Sequence, residues 1–188
     1  MATTIGNTEQ VVMGAGRWYL KPYAAGDELN LDELCVEANL LGYTQGGATV
    51  TYTPTTYTIE DDIGMVKRTF MTTANATMKT GLLTFDIASL AALLSVGQLT
   101  QDTEGNKNVL KLGGGRAELK RFMVAFEYEK DAEKGLYIRV GMIATNTAAM
   151  EFAFTKDKET VPDIEFTGGT NGKDDVILTF EEDIAPAA

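Results

Sequence analysis

The sequence predicts a mainly β protein, an antiparallel β-sandwich or barrel with one flanking helix. About eight short segments alternate apolar and polar residues, as strands with one buried face do. Connections rich in glycine, asparagine and aspartate separate these segments at hairpin spacing. Only the segment 86–95 changes to a helical period. Its apolar residues recur at every third or fourth position, and Asp86 is well placed as its N-cap.

The chain is expected to consist of an N-terminal arm, 1–16, and a single domain, 17–188. The arm is small and polar, but it carries three adjacent apolar residues that a neighbouring molecule could bury: Val11, Val12 and Met13. A short aromatic strand, Arg17–Tyr23, follows, and Pro22 indicates a sheet edge or strand end. Trp18 is expected to anchor the core. Residues 24–45 leave two alternatives open, a short helix with Asn30 near its N-cap or a loop that ends in a strand.

A long β-hairpin is the most distinctive prediction. In its first strand the residues Thr49, Thr51, Thr53 and Thr55 lie on one face, opposite Val50, Tyr52 and Pro54. The phase then slips at Thr55–Thr56, which predicts a β-bulge that moves Thr58 to the threonine face. Tyr57 and Ile59 thereby join the apolar face, which is expected to point into the core. An acidic turn at 60–64 leads to the return segment, which Asn75 is expected to break into two strands.

The second half of the chain alternates between strands and turns. Residues 96–116 are interpreted as a loop. Strands are predicted at 119–130 and 136–145 around a hairpin connection, at 150–155 and 161–167, and at 176–180.

Composition excludes several classes of function. The formal charge is −11 and both halves of the chain are acidic, so a protein that grips nucleic-acid phosphates is not expected. Histidine is absent, and Cys35 is the only cysteine, so neither a Ser–His or Cys–His pair nor an intrachain disulfide can form. No secretory signal or membrane span is expected, because no basic segment precedes an apolar run and the longest such run, 87–96, is short.

Three kinds of sequence feature could indicate a binding site, and none of them does so here. The glycine-rich 112–116 (LGGGR) lacks the ending of a phosphate-binding loop. Acidic residues at 60–62, 174–175 and 181–183 lack calcium-binding spacing and are interpreted as solvated turn charges. The sequon at 75–77 has no meaning without a signal peptide. We therefore expect no enzyme, no cofactor and no metal.

The order and spacing of several stretches resemble the phage tail tube (major tail) protein family over nearly the whole chain. These stretches are 40–52 (LLGYTQGGATVTY), 57–64 (YTIEDDIG), 79–85 (KTGLLTF), 121–128, 152–166 (FAFTKDKETVPDIEF) and the closing strand 176–182. Pro162, inside a predicted strand, is unexpected.

The resemblance implies a β-sandwich-like fold of tail-tube type. It implies a structural virion protein that self-assembles into hexameric rings, which stack into a tube and conduct DNA at ejection without binding it. The partners implied are further copies of the chain, tape-measure and tail terminator proteins and, around a contractile tail, a sheath. The location implied is the virion tail, reached from the host cytoplasm during assembly.

Two groups of residues follow as candidates within that picture. The residues expected to line an acidic lumen are Thr49, Thr51, Thr53, Thr55, Thr58 and Glu60. The residues expected to contact the next ring are Val11, Val12, Met13, Asp61, Asp62, Asp102 and Glu104. Two alternatives stay open: another self-assembling virion protein, such as a capsid decoration protein, and a β-sandwich binding module such as a lectin.

Overall fold

The computed structural model describes residues 15–63, 65–84, 86–94, 97–102, 104–113, 118–147, 151–152, 156–157, 161–170 and 175–184. Its strands are β1 (Arg17–Pro22), β2 (Leu40–Glu60), β3 (Lys67–Leu82), β4 (Gly97–Asp102), β5 (Lys107–Leu112), β6 (Arg121–Asp131), β7 (Leu136–Asn146), β8 (Asp163–Gly168) and β9 (Thr179–Glu182). Its helices are α1 (Leu31–Leu34), the 3-10 turn Glu37–Asn39 and α2 (Ile87–Leu93).

Six of the strands close into a ring of antiparallel pairs. Hydrogen bonds join β1 to β2, β2 to β3, β3 to β8, β8 to β7, β7 to β6, and β6 back to β1. β9 pairs with the part of β7 that β8 leaves open. Ring closure gives the paired parts of these strands a neighbour on both sides. The predicted mainly β, antiparallel fold with one main helix is confirmed.

The apolar core fills this ring, with side chains from all six strands and from α2. Trp18 is completely buried at its centre, stacked on Phe166 at 5.8 Å and tilted against Phe126 at 5.9 Å between ring centroids. Aromatic pairs at these separations stabilise beyond their buried area. The prediction that Trp18 anchors the core is confirmed, and Pro22 is the last residue of its strand, as expected.

A second apolar cluster lies on the outside of the ring, under α1. Asn30 caps this one-turn helix, because its Oδ1 accepts hydrogen bonds from the backbone N–H groups of Asp32 and Glu33. The segment 24–45 combines the two alternatives, since a one-turn helix at Leu31–Leu34 is followed by the start of β2 at Leu40. Leu31 and Leu34 are buried against β6 and β7, so packing supports a helix that is too short to be stable alone.

The helix α2 begins and ends within the predicted range. The Asp86 carboxylate accepts a 2.6 Å hydrogen bond from the backbone N–H of Ser89, and it thereby satisfies one of the free donors of the first turn. Leu90 and Leu93 are buried in the core cluster. This helix covers the core of the ring, as its apolar spacing predicted.

The long hairpin is confirmed, but two of its details differ from the prediction. β3 runs unbroken through Asn75, because every residue from Thr73 to Thr80 has a partner on β2. The register does shift between Thr55 and Thr56, where a bulge was predicted. The extra residue is Thr72 of β3, however, so the alternation of β2 itself is not interrupted. A second irregularity inserts Gly46 and Gly47 between Gln45 and Ala48.

The segment 96–116, interpreted as a loop, instead contains a small hairpin of its own, β4 and β5. The turn residues misled the prediction, because they connect two strands rather than interrupt a longer loop. Asp102 Oδ1 accepts hydrogen bonds from the N–H groups of Glu104 and Gly105, and this closes the turn. The hairpin packs against α2, since Gly97 lies beside the carbonyl oxygens of Ala91 and Leu94.

The C-terminal strands are shorter than predicted. Residues 151 and 152 are not in a strand, and 150 and 153–155 of the predicted strand lie outside the described residues. The last strand is Thr179–Glu182 rather than 176–180. Pro162 precedes β8 instead of interrupting it, and its carbonyl accepts the N–H of Leu82. A proline at that position costs no ladder hydrogen bond.

Candidate assembly surface

The far half of the long hairpin extends beyond the ring as a two-stranded ribbon, formed by 51–60 and 67–76. β1 pairs with β2 only at 40–43, and β8 pairs with β3 only at 77–81. Within the described part of the chain, each ribbon strand is therefore hydrogen-bonded along one edge only. A two-stranded ribbon with open edges is marginally stable alone and invites a further strand or surface.

The ribbon also exposes an unusual amount of apolar surface. Eight large apolar residues on it or at its end are 49–79% exposed: Tyr52, Tyr57, Ile59, Ile63, Met65, Val66, Phe70 and Met71. Together they present roughly 1,000 Å² of surface, if a fully exposed large residue is taken as about 150–250 Å². This surface is spread over both faces and the turn, and in total it exceeds the largest apolar patch of an ordinary monomer, about 300–600 Å². The ribbon therefore has the character of an interface.

The expectation that three of these residues point into the core is wrong. Tyr52, Tyr57 and Ile59 are 50%, 60% and 52% exposed, and only Val50 packs against the core. The reason is that the ring ends near Ala76, so beyond this row no ring strand covers the ribbon, and of the described residues only the C-terminal segment lies beside its base. A sequence pattern that alternates like a half-buried strand does not reveal which molecule buries it.

The apolar face of the ribbon changes side halfway along. β2 alternates without interruption from Ala48 to Glu60, so Tyr57 and Ile59 share a face with the threonines at 49–55. Tyr52 lies on the other face, where its hydroxyl contacts Met71 Sδ at 3.6 Å. The base of the ribbon is therefore apolar on the face that continues the ring interior. Its far end is apolar on the face that continues the ring exterior.

The structure separates the residues that were expected to line one surface. Four of them, Thr49, Thr51, Thr53 and Thr55, share the outer face. Thr58 and Glu60 lie on the opposite face, where Thr58 Oγ1 is 3.0 Å from Thr69 Oγ1 and Glu60 pairs with Lys67 at 3.1 Å. The cause is the position of the bulge: an extra residue in β3 cannot shift the phase of β2.

The outer threonine face extends across the neighbouring strands. Thr51, Thr53 and Thr55 pair with Thr77, Asn75 and Thr73 of β3. Beyond them, Thr167 of β8 is 2.9 Å from Thr147, oxygen to oxygen. The face carries the cation Lys79, which the Glu165 carboxylate holds at 2.8 Å, and the carboxylate of Asp163 lies on the same side of β8. This surface, called the threonine face below, is polar and slightly acidic.

Two of the carboxylates expected at inter-ring contacts, those of Asp61 and Asp102, accept hydrogen bonds that hold turns within the folded chain. Asp61 Oδ1 accepts the N–H of Val66 at 2.9 Å and holds the turn at the end of the ribbon. Asp102 holds the β4–β5 turn in the same way, with Glu104 beside it. Asp62 is exposed at the ribbon turn. Val11, Val12 and Met13 lie outside the described residues.

An apolar groove lies beside the base of the ribbon, between β3 and the C-terminal segment. Its volume is about 820 Å³. Its walls are Tyr52, Met71, Thr72, Thr73, Ala74, Thr170, Asp175, Val176, Ile177, Leu178 and Phe180. Val176 and Phe180 are 52% and 63% exposed. The sequence carries a signal for this groove, since apolar residues dominate 176–180 immediately before an acidic end.

A buried polar network outside the ring stabilises the fold. The Glu127 carboxylate, 5% exposed, accepts hydrogen bonds from the Tyr19 hydroxyl and from Arg139 Nε, both at 2.9 Å. Arg139 also pairs with Asp32 of α1 at 2.7 Å. Burial, and then the hydrogen bond to Glu127, raise the pKa of Tyr19 to about 12, and burial raises the pKa of the nearby Cys35 thiol to about 12. A thiol with so high a pKa is a poor nucleophile.

Comparison with known proteins assigns no identity to the chain. No protein-family model matches it, and no curated protein matches it. Across the described residues, no cluster of three or more carboxylate or thiol side chains is placed to hold a metal ion. None of the helices in the same residues is long and apolar enough to cross a membrane.

Proposed function

We propose that this protein is a structural subunit that assembles with copies of itself into hexameric rings, which stack into a tail tube for DNA. The observation that carries the proposal is the ribbon, with two open edges and roughly 1,000 Å² of exposed apolar surface. A stable interface buries about 800 Å² per partner. One chain therefore offers enough surface for a lasting contact, and the resemblance to tail tube proteins supplies the form of the assembly.

Ring formation gives the open edges a function. Each ribbon edge can accept a strand of a neighbouring copy, and a closed circle of such pairs leaves no edge exposed. An edge that stayed open would recruit further chains without limit. β2 is 21 residues long because it reaches past its own ring of strands to another subunit.

The threonine face is the surface that we assign to the lumen. Thr49, Thr51, Thr53 and Thr55 are exposed or half-exposed hydroxyls that carry no charge, and the nearby Lys79 is neutralised by Glu165. Lys79 is thus not available to phosphates, and the chain as a whole carries −11. DNA would pass such a wall without the phosphate contacts that slow it.

Electron microscopy of the purified protein tests the assembly. We expect negatively stained samples to contain rings with six-fold symmetry or hollow tubes at high protein concentration. The protein should also shift from monomer to large species in sedimentation velocity as its concentration rises. A featureless monomer at millimolar concentration would refute the proposed function.

Cysteine labelling tests the lumen assignment separately. In a Cys35→Ser background, Thr51→Cys places a thiol on the threonine face and Thr58→Cys places one on the opposite face. A maleimide attached to a polymer too large to enter a tube should label both variants in the monomer. After assembly it should no longer reach Thr51→Cys. Rapid labelling of Thr51→Cys in intact tubes would contradict the assignment, with Thr58→Cys reporting the reactivity of the other face.

A further inference from the structure

We propose that the end of the ribbon of one copy docks into the groove of a second copy. The docking end, called the tip patch, consists of Tyr57, Ile59, Ile63, Met65 and Phe70. This inference rests on the proposed self-assembly and names the two surfaces that meet. It makes each chain the carrier of both halves of one repeating contact.

The tip patch is the most exposed apolar surface on the described part of the ribbon. Ile63 and Met65 are each 79% exposed, although they lie in the same turn. Tyr57 and Phe70 are direct cross-strand partners and extend the patch onto the outer face. A solvated turn needs no apolar side chains, and two of them at its apex indicate that another molecule covers it.

The groove has the chemistry to receive this patch. Its walls are mainly apolar, and a volume of about 820 Å³ exceeds what the side chains of Ile63 and Met65 fill. Asp175 is part of its wall and supplies a carboxylate. The tip patch brings a matching cation, since Arg68 pairs with Ile59 and shares its face. A guanidinium that meets a carboxylate at the rim would fix the orientation of an otherwise non-directional apolar contact.

The groove cannot be filled by the tip of its own chain. Met71 lines the groove, whereas Met65 lies six residues further along the hairpin. Strands rise about 3.3 Å per residue, so the tip stands roughly 20 Å away from the groove. The paired strands between them hold that distance. A tip patch that occupies the groove must therefore come from a second copy.

Such a contact is heterologous, because the tip and the groove are different surfaces. It leaves one unused tip and one unused groove on every pair, and it repeats from copy to copy until the rotation closes a circle or continues as a stack. A two-fold dimer is not expected from it. This is the type of contact that rings and tubes require.

Two single substitutions test the contact without touching the core. Ile63→Asp disables the tip and Phe180→Asp disables the groove, at positions that are 79% and 63% exposed. We expect each variant to keep its near-ultraviolet circular dichroism spectrum and to need at least a ten-fold higher concentration than the unmodified protein to assemble. Val36→Asp, at a position 41% exposed beside α1, is the matched control and should assemble normally.

Mixing the two variants gives the decisive measurement. The intact tip of Phe180→Asp fits the intact groove of Ile63→Asp, so the mixture should form a one-to-one pair that grows no further. Sedimentation velocity distinguishes this pair from both monomers and tubes. If Phe180→Asp assembles as well as the unmodified protein, or if the mixture stays monomeric, the docking model is wrong. Unmodified protein that stays monomeric would instead refute the proposed function itself.

A covalent measurement covers the case in which a variant is poorly folded. In a Cys35→Ser chain, Met65→Cys together with Phe180→Cys places one thiol on the tip and one in the groove wall. Mild oxidation should then link copies into a ladder of dimers, trimers and longer species, because the roughly 20 Å separation prevents a bond within one chain. A product that stops at the monomer would also overturn the model.

Discussion

At the scale of single residues, Glu127 illustrates how a charge is kept inside an acidic protein. Its side chain is 5% exposed, and its carboxylate accepts hydrogen bonds from the hydroxyl of Tyr19 and the guanidinium of Arg139. A buried charge of this kind is tolerated because its lone pairs are occupied, and removal of the carboxylate leaves Arg139 with only the exposed Asp32 as an ion-pair partner among the described residues. The alternation of β6 gives no hint of this, since Glu127 lies on the face opposite the apolar Phe126.

The substitution Glu127→Gln should destabilise the monomer by about 3 kcal/mol, because the guanidinium of Arg139 loses its buried counter-charge. Urea unfolding below the assembly concentration measures the change. Glu129→Gln is the control, since this residue is 41% exposed, and it should cost less than about 0.5 kcal/mol. Equal losses in both variants would show that burial at position 127 has no special role.

The pKa values of Tyr19 and Cys35 predict a loss of stability at high pH. Burial raises the pKa of Cys35 from 9.0 and of Tyr19 from 10.0, each to about 12, so the folded state favours the protonated forms. This stabilisation is complete below pH 9 and is lost as the pH rises from 9 to 12. Unfolding free energies measured across that window should fall. In Cys35→Ala the fall should begin nearer pH 10, and an unchanged profile would contradict the assignment.

At the scale of elements, the glycine pair at 46–47 is a bulge that β2 could not form with other residues. Both glycines have φ of +80°, in the left-handed region that side chains disfavour. A Cβ on Gly46 would meet no atom within 4 Å, so only backbone strain opposes a substitution there.

We therefore expect Gly46→Ala to lower the free energy of unfolding by about 1–2 kcal/mol. Gly113→Ala is the matched control, because a Cβ there also meets nothing within 4 Å and the backbone is not left-handed. It should be neutral within about 0.5 kcal/mol. Thermal unfolding of the two variants side by side gives the comparison, and a neutral Gly46→Ala would show that the bulge relaxes.

The N-cap of α2 gives a second prediction for an element. The backbone N–H of Ser89 stabilises the ionised Asp86 and lowers its pKa below the usual 3.8. Asp86→Ala should cost about 1 kcal/mol, whereas Asp86→Ser, which can still accept the hydrogen bond, should recover most of it. The contribution is present above pH 4 and is lost as the pH falls through the lowered pKa. Urea titrations at pH 7 and pH 3 test both statements.

Local chemistry explains which elements the sequence predicted well. Caps and turn residues act on their own neighbours, so Asn30, Asp86 and the turn at 131–135 lie where they were expected. The register slip at Thr55–Thr56 was also visible in the alternation. The sequence did not show which strand carries the extra residue, because an extra residue on either strand produces a slip. Only the pairing shows that Thr72 is the unpaired one. Whether the apolar residues beyond the slip are buried depends on where the ring ends.

At the scale of the whole molecule, charge and apolar surface oppose each other. A formal charge of −11 repels other copies, while the exposed apolar residues of the ribbon attract them. The balance should depend on ionic strength, because the Debye length shortens from about 30 Å at 0.01 M salt to about 8 Å at 0.15 M.

Assembly should therefore begin at a lower protein concentration when salt is added. Between 10 and 300 mM NaCl we expect at least a three-fold decrease in the concentration at which half the protein sediments as large species. Light scattering can follow the same transition. An assembly driven by ion pairs between copies would weaken with salt instead, and that outcome would contradict the view that apolar burial drives the contact.

The independence of the ribbon from the ring has a consequence for how its length can vary. Lengthening both strands by two residues each would move the turn outward by about 7 Å and return every side chain to its own face. One residue added to each strand would exchange the faces of everything beyond it. Insertions and deletions in each ribbon strand must therefore involve an even number of residues if the faces are to be kept. The core of the ring is not affected by them. The ribbon is a part whose reach can be reset in steps of two residues without a change in the rest of the fold.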